Sequence, residues 1–468
     1  MCTPAAAAGR GRVRLNVGGK VFETTAATLS SAGRDTMLGA MVDASWNAGP
    51  AAAAEYFIDR DPACFAVLLD LLRTGALSVP PHVSERALCR EALYYGLLDR
   101  VRAARLEDGD GFDGDRLRLA ASVPGPGRAP GHDGTAVRAA PDGGCCVAHG
   151  GALVRVYNWM LEERPPVHLD HAPVNDAAYL DASTLLLAAR ERPGSGGRRD
   201  GHHGNGGLAV FSALTGEIRH RFRVTHDKQP RPFTPGALAF DDRQNSKIFA
   251  SCKGRLNEYG VGAWDATTGQ QTDFFYEPPG CALGDADKLQ WLEGTSTLMA
   301  ATMFPRTDSS FISVLDFRAK DVAWSWSDVG TPASLEDKHA VHAVAMDDGR
   351  SVCVVNQYDD LGFLDLRSNA GGVRWRSRSK LLRKTKKAMH AEETCYPKLA
   401  AHGGQLFAST DDAVSVFSGP DHALTSTLRG SDGGGAICDF SIGGGRLFAL
   451  HNEENVFDVW ETPPPPII

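Results

Sequence analysis

Residues 13–24 read VRLNVGGKVFET, with apolar and polar residues alternating on both sides of Gly18-Gly19. Such alternation is typical of a β-strand that buries one of its faces. A Gly-Gly pair supplies the positive φ angles that a two-residue hairpin turn requires. The stretch therefore predicts a β-hairpin that turns at Gly18-Gly19.

Two further segments follow the hairpin in the order that a small α/β unit requires. Residues 56–58 form a short apolar run, which is followed by the polar turn at residues 59–62. Apolar residues at helical spacing come next and lead to Gly75, a residue type that commonly ends helices. The apolar positions of this helix are Phe65, Leu68, Leu69 and Leu72. A second helix is expected over residues 84–106.

Three phrases in these segments occur in a fixed order, namely NVGG at 16–19, IDRD at 58–61 and LRTG at 72–75. In order and approximate spacing they resemble the BTB/POZ fold, in its potassium-channel-tetramerisation (KCTD-like) branch. The resemblance covers residues 12–106 and implies an α/β domain. It also implies self-association into closed rings of four or five subunits, and an adaptor role in place of catalysis.

The resemblance assigns structural or oligomer-interface roles to two groups of residues, and each group has a chemical alternative. Asp59-Arg60-Asp61 places two carboxylates around a guanidinium, an arrangement that also occurs in acid–base sites. The Gly pair could be taken for a phosphate-binding loop, but the G-x-G-x-x-G and G-K-[ST] patterns are absent. The interface assignment covers Asn16, Gly18, Gly19, Asp59, Arg60 and Asp61.

Residues 107–114 are acidic and rich in glycine, and we expect them to link two domains. Beyond them, alternating strands that end in an aromatic residue or Leu recur about every 50 residues, each preceded by a polar turn and a second apolar strand. The anchors of this repeat are Tyr157, Phe211, Trp264, Leu315, Leu364, Phe417 and Trp460. The repeats resemble degenerate WD40-like blades. We therefore expect a multidomain protein whose residues 115–462 form an all-β propeller of about seven blades, with six or eight as alternatives.

The last repeat ends at Trp460, shortly before the prolines at 463–466, and so lacks an outer strand. Residues 116–123 alternate in the manner of a strand and precede the Pro/Gly-rich stretch at 124–131. Propellers avoid an open edge by pairing a strand from one end of the chain into the last blade. Residues 116–123 are thus predicted to close the propeller.

Length and charge set limits on function. The 468 residues exceed one typical core, so two or more domains are expected. The formal net charge of −8 argues against general attraction to nucleic acid or to anionic membranes. There is no apolar run of about 18 residues that could span a bilayer. The ten cysteines include no C-x-x-C pair, which favours reduced thiols in the cytoplasm, the nucleus or both.

Two further stretches of polar residues are candidate binding sites. The adjacent His202-His203 lack additional spaced ligands, so neither a metal nor a cofactor is expected. A basic run in the propeller could attract an acidic partner or act as a nuclear address, with a solvated loop as the alternative. Its charged residues are Arg374, Arg376, Arg378, Lys380, Arg383, Lys384, Lys386 and Lys387.

The resemblance implies a function for the whole chain. BTB proteins of this architecture are similar to substrate-recognition subunits of cullin-RING ubiquitin ligases, in which the BTB domain docks the cullin and a second domain binds the target. An oligomeric scaffold without a link to ubiquitination is the alternative. A propeller enzyme is a weaker one, because no nucleophile motif or nucleotide fingerprint occurs.

Overall fold

The structure is a computed structural model. The structure describes residues 12–34, 36–42, 55–80, 82–98, 100–101, 104, 112–125, 134–149, 153–169, 174–189, 207–226, 229–230, 233–241, 247–254, 258–277, 283–302, 311–328, 339–368, 373–376, 395–430, 435–452 and 456–463. The chain divides into two compact units, the first ending at Gly111 and the second beginning at Phe112. Each unit is described by itself.

The first unit combines one three-stranded sheet with four helices. Its elements are β1 (Arg12–Val17), β2 (Lys20–Thr25), α1 (Ala26–Ser30), α2 (Met37–Met41), β3 (Glu55–Ile58), α3 (Pro62–Thr74) and α4 (Glu85–Tyr95). β1 lies in the centre of the sheet, antiparallel to β2 and parallel to β3. The predicted hairpin is confirmed, because Val17 pairs with Lys20 across the Gly18-Gly19 turn.

Helix α3 begins and ends at residues that cap it. Asp61 is the N-cap and accepts a hydrogen bond from the Ala63 N–H at 2.8 Å, while Pro62 occupies the first turn. Gly75 ends the helix with a left-handed φ of 80°. The predicted apolar face is buried, and its Phe65 ring packs against Tyr95 of α4 at 5.2 Å between centroids.

The single helix predicted over residues 84–106 is wrong. α4 ends at Gly96, whose φ of 74° interrupts the helical backbone. The described residues between 98 and 104 are helical again. A left-handed glycine therefore divides the segment, although the apolar spacing continues across it.

The second unit contains seven four-stranded sheets, counted over its described residues, as expected for a propeller of seven blades. Blades 1 and 2 consist of β5 (Gly134–Ala139), β6 (Cys145–His149), β7 (Leu153–Tyr157) and β8 (Val167–His168), and of β9 (Val174–Asp181), β10 (Thr184–Ala189), β11 (Gly207–Ser212) and β12 (Ile218–Phe222). A small ribbon follows, formed by β13 (Thr225–His226) and β14 (Gln229–Pro230).

Blades 3 to 5 follow in chain order. Their strands are β15 (Thr234–Phe240), β16 (Lys247–Lys253), β17 (Tyr259–Asp265), β18 (Gln271–Glu277), β19 (Ala286–Leu292), β20 (Thr297–Thr302), β21 (Ile312–Asp316), β22 (Asp321–Trp326), β23 (Ala340–Ala345), β24 (Ser351–Asn356), β25 (Leu361–Asp365) and β26 (Arg374–Arg376). Every predicted anchor of the repeat lies on the third strand of its blade.

Blades 6 and 7 complete the ring. Their strands are β27 (Leu399–His402), β28 (Gln405–Thr410), β29 (Ala413–Ser418), β30 (Ala423–Arg429), β31 (Ile437–Gly443), β32 (Arg446–His451), β33 (Phe457–Glu461) and β4 (Arg118–Val123). The predicted closure is confirmed, because β4 pairs antiparallel with β33 and supplies the outer strand of blade 7. The stretch at 124–131 consequently connects the closing strand to blade 1.

The core of the propeller lies between its blades. The first strands of neighbouring blades contact one another around the whole ring, with β31 against β5 at the closure. Each of the seven junctions encloses one apolar cluster. A single blade could not bury both of its apolar faces, so stability depends on the closed ring.

The boundary between linker and propeller lies three residues earlier than the sequence analysis placed it, since residues 112–114 contact the propeller. The Phe112 ring packs against Phe407 of blade 6 at 5.7 Å between centroids. The Asp113 N–H donates to Thr462 Oγ1 at 2.9 Å, and the Gly114 N–H donates to Gln405 Oε1 at 2.7 Å.

Candidate interaction surfaces

The Gly18-Gly19 turn lies directly against the loop that begins α3. The Gly18 N–H donates to Ile58 O at 2.9 Å, and its φ is 55°. A Cβ at Gly18 would lie 2.4 Å from the Arg60 carbonyl oxygen, whereas a Cβ at Gly19 would meet nothing within 4 Å. Gly18 is therefore required by a close backbone approach, which the sequence motif alone did not reveal.

Arg60 is held by helix α4 and not by its two neighbouring carboxylates. Its Nε lies 3.1 Å from Glu91 Oε2, and its guanidinium lies over the Tyr94 ring at 4.1 Å. Asp61 is engaged as the N-cap of α3, and Asp59 is exposed. The ion pair with Glu91 connects the strand-to-helix loop to α4 within one subunit. The interface role assigned to these residues stays a prediction.

The exposed face of the first unit's sheet carries an apolar row that the sequence analysis did not single out. Asn16 pairs in register with Val21 on β2 and with Phe57 on β3, so the three side chains share one face. Phe57 is 66% exposed and Val21 is 43% exposed. The alternation of side chains along β1 and β2 could have predicted this row. Leu15 and Val17 occupy the opposite, buried face of the sheet, so the residues between them must lie on the exposed face.

The first strands of the propeller bring charged residues together around the central channel. Arg138 on β5 donates to Asp176 Oδ1 at 2.6 Å and also to Asp439 of blade 7. The same two carboxylates accept backbone N–H groups from the next blade, Asp176 from Leu238 at 2.9 Å and Asp439 from Val137 at 3.0 Å. These groups join neighbouring blades.

His342 on β23 joins blade 5 to blade 6 in the same way. Its Nδ1 accepts the Leu399 N–H of blade 6 at 3.1 Å. Burial, followed by the positive charges of Lys398, Lys288 and Arg138, lowers the pKa of His342 well below its usual value. The imidazole is thus held in the neutral form that a hydrogen-bond acceptor requires. Asp176, Asp439 and His342 thus each accept a backbone N–H from the next blade.

The predicted basic run lies largely outside the described residues. Of its members, Arg374 and Arg376 fall on β26, the outer strand of blade 5. Arg376 Nη1 donates to the Asp421 carbonyl at 2.6 Å, and its guanidinium lies 5.5 Å from the Phe363 ring centroid. The remaining six, and also His202-His203, lie outside the described residues.

Within the described ranges, no helix is long and apolar enough to cross a membrane. In the same part of the chain, no three His, Cys, Asp or Glu side chains group in a way that could hold a metal ion.

Comparison with known proteins agrees with the two-unit architecture. Residues 13–103 match the family model for the BTB/POZ domain. Residues 127–462 match the model described as "At2g24240-like, C-terminal beta propeller". The BTB/POZ domain-containing protein KCTD21 of Homo sapiens is similar over the first unit only, with 39% identity over 92 residues, 19% of this chain and 35% of that protein.

Two Arabidopsis thaliana proteins are similar over nearly the whole chain. The BTB/POZ domain-containing protein At2g24240 is 57% identical over 98% of this chain and 99% of its own length. The BTB/POZ domain-containing protein At4g30940 is 55% identical, with the same two coverages. A BTB domain joined to a propeller is the architecture of a protein-interaction adaptor. The chain belongs to the plant BTB/POZ domain-containing proteins with an At2g24240-like C-terminal β-propeller.

Proposed function

We propose that this protein is an oligomeric substrate adaptor of a cullin-RING ubiquitin ligase. The BTB domain self-associates and docks the cullin, and the propeller binds the protein to be ubiquitinated. The observation that supports this proposal most directly is that one chain contains two separate compact units. They are a BTB domain with an exposed apolar row and a closed propeller. Membership of the BTB family supports the assignment of the ligase role to the first unit.

The apolar row supports self-association of the BTB domain. Large apolar side chains that share one exposed face are a common feature of protein interfaces. Phe57 and Val21 lie on either side of the polar Asn16, and the Arg14–Glu23 ion pair of 3.3 Å lies on the same sheet face. A second copy that covers this face would remove the two apolar side chains from water and pair the polar groups at the rim.

Sedimentation or light scattering of residues 1–110 tests self-association. We expect a tetramer or pentamer at micromolar concentration, and a shift toward monomer for Phe57→Ser. The matched control is Ala76→Ser, which changes an exposed residue in the loop after α3. A monomeric wild-type fragment at high micromolar concentration would contradict the proposal.

Binding to a cullin separates the ligase adaptor from its main alternative. The full chain and residues 1–110 are each titrated with a purified cullin N-terminal domain, and both are expected to bind with similar affinity. A chain that forms oligomers but binds no cullin would instead be a scaffold without a link to ubiquitination. Because self-association is measured separately, the two outcomes are distinguishable.

A further inference from the structure

Four large apolar side chains are exposed among the described residues of the first unit, and they form two separate pairs. Val21 and Phe57 belong to the apolar row of the sheet. Leu93 is 59% exposed and Tyr94 is 45% exposed, and both lie on the last turn of α4. The proposed function places the apolar row against a second copy of the chain, which leaves open what covers the pair on α4.

The two pairs lie on opposite sides of the core of the first unit. On the buried side of the sheet, Phe22 packs against Phe65 of α3 at 5.0 Å between ring centroids, and Phe65 packs against Tyr95 of α4 at 5.2 Å. Val21 precedes Phe22 on β2, so its side chain points to the other face of the sheet. In a helix of 3.6 residues per turn, Leu93 is rotated by about 200° from Tyr95 and points away from this core.

A charged residue of opposite sign accompanies each apolar pair. Asp59 follows Phe57 by two residues, and exposed and buried residues alternate between them, so both lie on one side of the chain. Arg90 precedes Leu93 and Tyr94 by three and four residues, the spacing of neighbours on one helix face. Asp59 and Arg90 are both exposed, and neither forms an ion pair with another described residue. We call Arg90, Leu93 and Tyr94 the α4 patch.

The α4 patch is held in place by contacts within one subunit. The Arg60 guanidinium lies over the Tyr94 ring at 4.1 Å, and Arg60 Nε lies 3.1 Å from Glu91 Oε2. These contacts keep the Tyr94 ring at the surface. Because Arg60 and Glu91 neutralise one another, the positive charge of the neighbouring Arg90 is available to a partner outside the subunit.

A closed ring of four or five copies requires two different surfaces on each copy, because every copy meets one neighbour on each side. A dimer about a two-fold axis would instead pair one surface with itself. The apolar row ends beside an acid, and the α4 patch contains a base. Complementary charges favour the docking of these unlike surfaces on one another and disfavour the docking of like surfaces.

We propose that the BTB domain assembles head to tail, so that the apolar row and Asp59 of one copy dock on the α4 patch of the next copy. The two apolar pairs bury one another, and the Asp59 carboxylate forms an ion pair with the Arg90 guanidinium across the interface. The inference rests on the proposed self-association of the BTB domain and names the second surface that self-association uses.

Charge reversal in the full chain, followed by sedimentation velocity over a micromolar concentration series, tests the ion pair. Asp59→Lys and Arg90→Glu should each raise the concentration of half-dissociation by about ten-fold or more, because each places like charges against one another. The double variant Asp59→Lys/Arg90→Glu restores opposite charges and should recover most of the lost affinity. Asp70→Lys is the matched control, since it reverses an exposed carboxylate of α3 outside both surfaces and should assemble like the wild type.

A mixture of two variants tests the head-to-tail arrangement. Phe57→Ser disrupts the apolar row and keeps the α4 patch, whereas Leu93→Ser does the reverse, so each variant alone should be largely monomeric. Mixed in equal amounts, they should form a one-to-one dimer through the intact row of one chain and the intact patch of the other. Assembly in the mixture also shows that both variants are folded.

Three results would overturn the inference. Oligomers that are unaffected by Leu93→Ser and Arg90→Glu would mean that the apolar row docks elsewhere. If these variants keep their oligomers but no longer bind the cullin N-terminal domain, the α4 patch binds the cullin and not a second copy. Charge reversals that are not rescued in the double variant, together with a mixture that stays monomeric, would exclude the head-to-tail contact. A wild-type chain that is monomeric at high micromolar concentration would instead contradict self-association as a whole.

Discussion

Gly18 illustrates how one residue can be fixed by a contact distant in sequence. An added methyl group would lie 2.4 Å from the Arg60 carbonyl oxygen, and φ is already positive. We expect Gly18→Ala to destabilise the BTB domain by about 1–3 kcal/mol, because backbone strain and displacement of the loop add together. Gly19→Ala is the matched control, since its positive φ is strained but the space around it is open, and its loss should be smaller. Urea unfolding of residues 1–110 measures both, and equal losses would contradict the close-approach argument.

Two buried histidines should give the propeller opposite responses to pH. The folded-state pKa of His342 is lowered by burial and by neighbouring cations, so its stability contribution is lost as pH falls below the unfolded value of about 6.5. Burial opposes charge on His451, but hydrogen bonds with Asp458 and Gly435 O outweigh it and raise the pKa. The contribution of His451 is therefore full below about pH 6.5 and is lost as pH rises through the folded-state pKa.

The histidine variants separate these two effects. Melting temperatures of the full chain between pH 5 and 8.5 should show that His342→Asn weakens the acid-side loss, while His451→Asn weakens the alkaline-side loss. A single group changes the pH slope of stability by at most about 1.4 kcal/mol per pH unit. Parallel pH profiles for the wild type and either variant would contradict the assignment for that histidine.

Strand β4 is the element on which closure of the propeller depends. It pairs with β33, and its Ser122 hydroxyl donates to Asp458, which in turn contacts His451 at 3.1 Å. A chain that begins at residue 132 lacks this strand and leaves β33 with an unpaired edge. We expect it to melt at a lower temperature than a chain that begins at 112, or to aggregate. Equal melting temperatures would mean that the paired strand contributes little to stability.

The strands that sequence predicted best are those with the strongest local pattern. The third strand of each blade was identified because it alternates and ends in a large apolar anchor. The shortest outer strands carry little signal, since β8 has two residues and β26 has three. The contact of Arg60 with Glu91 depends on long-range packing. No local pattern encodes such a pair, so it required the structure.

At the scale of the whole molecule, the proposed function divides the tasks of assembly and binding between the two units. A single propeller would bind a target weakly through exposed polar contacts, because an exposed ion pair contributes little energy on its own. Several propellers carried on one oligomer would raise the effective concentration for a multivalent target. Avidity of this kind exceeds single-site affinity by about 10²- to 10⁴-fold without any new contact. Weak individual sites and an oligomeric BTB domain are therefore consistent with one another.

Deletion of residues 1–106 should separate avidity from single-site affinity. The remaining chain keeps Phe112 and β4, so the propeller should fold and melt as in the full chain. Binding to a surface that carries isolated target molecules should be unchanged, because the propeller is intact. Binding to a densely coated surface should weaken by one hundred-fold or more, since the link between propellers is lost. If the shortened chain binds the dense surface as tightly as the full chain, oligomerisation has no role in target capture, and the propeller alone determines affinity.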